Sequence, residues 1–99
     1  MKWVELIRLR ANATTLHAVL PGLEEQVAEL HHAHADVEAM VLEHALYDGD
    51  LAVVIVWHNT ASPKESRPGL LLADQLRTLG SVDHAVWTPR RSASHSLSA

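Results

Sequence analysis

The chain has 99 residues, 47% hydrophobic and 20% charged, with a formal net charge of -4 and no cysteine. That length fits one globular domain, and the missing thiols exclude disulfides, thiolate metal sites and a Cys nucleophile. An acidic balance with no Phe and a single Tyr lacks the basic face and the stacking platforms of a nucleic-acid binder.

Lys2 to Arg10 alternates as a strand, with Trp3, Glu5, Ile7 and Leu9 on one face and Val4, Leu6, Arg8 and Arg10 on the other. Glu5 stands where a signal peptide needs its apolar stretch, and no run reaches transmembrane length. The expectation is therefore a cytoplasmic chain with no membrane partner. Asn12, Thr14 and Thr15 offer helix-capping chemistry ahead of a stripe of Leu16, Leu20, Leu23, Val27 and Leu30. Pro21-Gly22 interrupts the stripe, which predicts either a kinked helix or a fresh helix start at Pro21. Period two returns from Asp36 to Tyr47, and Asp48-Gly49-Asp50 predicts a tight turn into a second strand.

That strand, Leu51-Ala-Val-Val-Ile-Val-Trp57, is apolar without a break, the pattern of a strand buried on both faces. Residues 58–69 are polar and contain proline. Ser66, Arg67 and Pro68 open a helix with core positions Leu72, Ala73, Leu76 and Leu79, stopped by Gly80. A last strand spans Val82 to Thr88, with Val82, His84 and Val86 facing opposite to Asp83, Ala85 and Trp87. The expected organisation is a single domain over residues 1–88 and a Ser-rich flexible tail over 89–99.

The order β-α-β-β-α-β is the split βαβ arrangement of a ferredoxin-like α+β fold, with both helices on one face of a four-stranded antiparallel sheet. The other face then carries several Val, Leu, Ile and Trp side chains, each worth about 1.5–3 kcal/mol when buried. Leaving that face wet would cost on the order of 10 kcal/mol, comparable to the stability of a whole domain. The predicted partner is a second copy of the chain, packed through the helix-free sheet face into a barrel.

The segments Asp50 to Trp57, Gly69 to Leu76 and Leu79 to Trp87 together resemble the dimeric α/β-barrel superfamily, in particular small proteins related to the antibiotic-biosynthesis monooxygenases. The resemblance covers about residues 2–88. It implies a dimeric barrel, and it spans cofactor-free oxygenases, haem-degrading enzymes, isomerases and members without assigned activity. Haem-degrading members place a Trp on a barrel strand, as Trp57 would be. They also use an Asn on the first strand and a His on the second helix, and this chain has neither, which argues against haem degradation.

Candidate chemistry rests on polar residues within apolar strands. His84, between Val82 and Val86, is the candidate general base; a satisfied, inert histidine at a barrel mouth is the plain alternative. Glu5 is a candidate carboxylate inside a cavity, against a salt bridge to Lys2, Arg8 or Arg10 at the sheet edge. Trp57 is a candidate floor for an aromatic ligand, against a core or interface Trp. His58 and His44 are weaker substrate-binding candidates, with Glu43 beside them. His31, His32 and His34 cluster without a zinc signature, so neither a metal nor another cofactor is expected. Two functions follow: a cofactor-free, monooxygenase-like enzyme or binder of a small aromatic molecule, or a non-catalytic dimeric module. A hollow around Glu5, Trp57 and His84 would favour the first, and filled space the second.

Overall fold

The computed structural model describes residues 2–90, so most of the expected tail, residues 91–99, lies outside the described residues. The elements run β1 (Lys2–Arg10), α1 (Ala13–Ala33), β2 (Val37–Glu43), β3 (Asp50–His58), α2 (Arg67–Arg77) and β4 (Ser81–Trp87). All pairings are antiparallel and the sheet order is β2-β3-β1-β4, the ferredoxin-like arrangement.

Alternation decides which side chains meet the helices. Trp3, Glu5, Ile7 and Leu9 of β1 face the same layer as Leu51, Val53, Ile55 and Trp57 of β3, and all of them are buried. Leu16, Leu23 and Val27 of α1 and Leu72, Ala73 and Leu76 of α2 close that layer from above. Ile7, Val53 and Ile55 at its centre have no exposed surface, each contributing about 1.5–3 kcal/mol.

Asn12 caps α1 by accepting the Thr15 amide at 2.9 Å. Pro21 lies inside α1, which is one helix from Ala13 to Ala33 and does not restart there. Pro21 falls on an exposed position, where the missing amide faces solvent, and the apolar stripe runs through it on the other side. The second strand is shorter than the alternation over residues 36–47 predicts, ending at Glu43. His44 turns the chain there: its Nδ1 accepts the amides of Leu46 and Tyr47 at 3.0 and 3.2 Å, leaving both side chains on an exposed connection.

The opposite sheet face carries no helix. Its middle is apolar, with Val4, Leu6, Val54 and Val56 half-buried and Met40, Leu42 and Trp87 exposed. One end carries Arg8 opposite Asp83 and Arg10 opposite Asp50; the other carries Lys2, Glu38 and His58. Among the described residues no helix is long and apolar enough to cross a membrane.

Candidate functional site

Glu5 sits at the centre of β1, between Ile55 of β3 and Val86 of β4, on the helix-covered face. It has no exposed surface. An isolated charge there would be expensive, so the partners decide whether the position is tolerable. Four donors converge on its two oxygens. Oε2 accepts the Trp57 indole Nε1–H at 2.9 Å and the Ser66 hydroxyl at 2.5 Å. Oε1 accepts the Ser66 amide at 2.7 Å and the His84 Nε2–H at 2.9 Å. Ser66 is the N-cap of α2, its Oγ also accepting the Gly69 amide at 3.0 Å. The carboxylate therefore lies at the amino end of α2, where the exposed amides and the helix dipole favour negative charge.

His84 shares this face, opposite Ile7, and its side chain is 1% exposed. Its ring lies between two carboxylates. Nε2 meets Glu5, while Glu65 Oε2 approaches Nδ1 to 3.0 Å. The second approach lacks hydrogen-bond alignment, so Nδ1 is a buried nitrogen without a directed partner. Glu65 itself is half exposed. Trp57 stacks on Trp3 with ring centroids 5.4 Å apart and 15° between planes, and His34 meets it edge-on at 5.7 Å.

The structure thus brings Glu5, Trp57 and His84 together and keeps His58 and His44 apart from them. His58 ends β3 on the helix-free face, its Nε2 3.1 Å from Glu38. His44 follows β2 beside the start of β3, roughly 20 Å or more along the sheet from His58 by strand rise. Glu43, beside it, lines the same hollow under Leu16 and Leu20. The salt bridge expected between Glu5 and Lys2, Arg8 or Arg10 does not form, because even-numbered residues of β1 point to the other face and β1 is an interior strand.

Glu5 is enclosed on every side, with no exposed surface. A hollow between α1 and the β2–β3 connection is lined by Leu16, His17, Tyr47 and neighbours, and a groove between α1 and α2 by Val27, Leu30, Pro68 and Leu72; Glu5, Trp57 and His84 line neither. Sequence reasoning identified Ser66 only as a helix opener and passed over Glu65 and Gly69. Gly69 carried the signal: glycine in the first turn of a helix costs about 1 kcal/mol unless something approaches closely. A Cβ at Gly69 would overlap Glu5 Oε1.

Among solved structures, SnoaB, a cofactor-independent oxygenase from Streptomyces nogalater, superimposes with a TM-score of 0.58 at 16% identity, over 92% of this chain and 95% of that one. A candidate antibiotic biosynthesis monooxygenase from Deinococcus radiodurans does so at 0.64 and 16%, over 91% and 94%. What the chain shares with these structures is the ferredoxin-like fold. A dimeric ferredoxin-like protein from an uncultured marine organism superimposes at 0.57 and 10%, over 93% and 97%. No family model and no curated protein matches the sequence. At such identities the likeness extends to the fold, and the chemistry must be argued from the residues themselves.

Proposed function

We propose that this chain forms a homodimeric α/β barrel through its helix-free sheet face, and that Glu5, His84 and Trp57 form a cofactor-free acid–base site for a small aromatic molecule. The observation that carries the chemistry is the imidazole held between two carboxylates. Glu5 fixes one ring nitrogen from the dry interior, and the other nitrogen faces the half-exposed Glu65. A base whose far nitrogen is fixed by a buried carboxylate is the orienting arrangement of general-base catalysis. Buried ion pairs are seldom needed for stability, since apolar replacements of similar volume are often neutral or stabilising. In this reading His84 Nδ1 takes a proton from an acidic oxygen of the substrate, Glu5 holds the ring, and Trp57 supplies an aromatic wall. The relation of fold to a cofactor-independent oxygenase supports oxidation of the deprotonated substrate with dioxygen from air as the oxidant, itself reduced in the step.

The homodimer rests on the exposed Met40, Leu42 and Trp87 around Val54 and Val56, an apolar band with charged ends that suits a copy of itself. Dimerisation among proteins of this fold supports it.

A second reading has its own observation. The four donors satisfy Glu5, which has no exposed surface, as a non-catalytic dimeric module would have it, with Glu5 serving to fasten α2 to the sheet. A His84→Ala variant separates the two. Light scattering should give twice the chain mass for both proteins. Small aromatic phenols, offered in air, should be bound or consumed by the parent alone. Equal behaviour of parent and variant leaves the module.

A further inference from the structure

The Glu65 carboxylate occupies a position that the chemistry of His84 reserves for something else. Nδ1 is buried, and Glu65 Oε2 stands 3.0 Å away without the alignment of a hydrogen bond. Glu65 is 49% exposed, and residues 60–65 lie outside helix and strand and are exposed throughout. This segment is held near its ends, where the Ala61 amide also donates to Asn59 Oδ1 at 3.1 Å. Asn59 accepts the Trp3 indole N–H at 2.9 Å and donates to Asp36 at 2.6 Å, and Ser66 is held by Glu5. The Glu65 carboxylate therefore stands between solvent on one side and His84 Nδ1 on the other.

We propose that Glu65 is a displaceable plug in a ligand subsite at His84 Nδ1, and that this subsite takes a flat aromatic molecule bearing an acidic oxygen, a phenol or a carboxylate, whose oxygen replaces Glu65 Oε2. The proposal rests on the acid–base reading of His84 for its ligand class, but the plug is a property of the contact. One oxygen leaves Nδ1 and another arrives, and the arriving O–H can donate to Nδ1 as the Glu65 carboxylate cannot. An apolar ring without such an oxygen would leave the buried nitrogen unpartnered, which selects against it.

The probe is 2-naphthol, with naphthalene as its oxygen-free counterpart, titrated into the parent protein and into Glu65→Ala. The half-exposed contact is of the class worth 0.2–1 kcal/mol, so removing the plug should tighten 2-naphthol binding roughly two- to fivefold and leave naphthalene unchanged. The His84 ring resonance should move with 2-naphthol in both proteins. Amide exchange at Ser66 should quicken in the variant while Ile7 and Val53 stay protected, which reports release of the segment independently of any ligand. Equal gains for both probes, no gain for 2-naphthol, or no binding of it by either protein would overturn the subsite. If Glu65→Ala loses structure, Glu65→Ser, whose side chain is too short to reach Nδ1, is read the same way. Failure of the acid–base reading looks different: 2-naphthol binds more tightly to the variant, yet no proton-dependent turnover follows in either protein.

Discussion

The two faces of the sheet invert the usual distribution of polarity. The helix-covered face is the dry one, and it holds a carboxylate and an imidazole at its centre. The helix-free face has exposed side chains, and its centre is aliphatic and aromatic with the charges pushed to its ends. Covering an apolar band needs only another apolar surface, which a second copy supplies. Covering Glu5 needs donors at fixed positions, which only folded elements of the same chain can place. In the proposed dimer one face would carry assembly, while the other specifies where α2 docks.

The comparison breaks most sharply at Glu5. Glu5→Ala strips a partner from the Ser66 amide and hydroxyl, the Trp57 indole and His84 at once. Breaking a buried network by removing one partner costs about 3–5 kcal/mol. Urea unfolding should show that loss at constant protein concentration, with the dimer mass kept. A loss below about 1 kcal/mol would mean that water or rearrangement replaces the carboxylate, and the docking role of Glu5 would be abandoned.

On the other face, Val54→Asp puts a charge at the middle of the apolar band, opposite Leu6 and Met40. Two such charges meet across a symmetric interface, and the expected cost is about 3 kcal/mol, more than a hundredfold in dimer affinity. Sedimentation over a dilution series should show monomer appearing. Unchanged association would mean that the copies meet elsewhere.

How much of this was legible depended on range. Alternation grouped Glu5 with Trp3, Ile7 and Leu9 and His84 with Val82 and Val86, because the period of two is local, and left open whether the two groups share a face. The unbroken run in β3 marked a strand with apolar groups on both sides, and the structure has Leu51, Val53, Ile55 and Trp57 buried beneath the helices and Ala52, Val54 and Val56 half-buried opposite. Register was not legible: Glu5 meets Ser66 and His84 across separations of 61 and 79 residues, which no local pattern encodes. The end of β2 was missed for a different reason. The alternation continues to Tyr47, but the His44 ring supplies the turn's acceptor, and a side chain that competes with the ladder leaves no trace in hydropathy.

A finer probe of the covered face is Gly69→Ala. In an ordinary helix the exchange gains about 1 kcal/mol. Here the new methyl group overlaps Glu5 Oε1, and overpacking of that kind typically costs 1–3 kcal/mol, so the net change should be destabilising by about 1 kcal/mol. In a Glu5→Ala background the obstacle is gone and the same exchange should stabilise. A sign that stays the same in both backgrounds would show that Gly69 is there for some reason other than Glu5.

The smallest expected effect compares the two ends of the sheet through acid. At one end the Arg10 guanidinium donates to Asp50 at 3.0 and 3.4 Å, and that bond followed by its charge holds the Asp50 carboxyl below its ordinary value of 3.8. At the other, the Asn59 amide at 2.6 Å, then the backbone of Asp36 itself, holds the Asp36 carboxyl below the same value. A carboxyl depressed by folding adds stability that is fully present above its unfolded value and is lost as pH falls through its folded one. Both contributions should therefore be intact at neutral pH and fade below about pH 4. Asp50→Asn and Asp36→Asn should each flatten part of that acid limb in urea midpoints measured from pH 6 to pH 2. Asp36→Asn should also quicken amide exchange at Ala61, whose N–H donates to the Asn59 side chain that Asp36 holds. Asp50→Asn should leave that exchange alone, since its partner Arg10 lies at the opposite end of the strands. If the two variants flatten the limb and alter exchange identically, the ends of the sheet are not energetically separate.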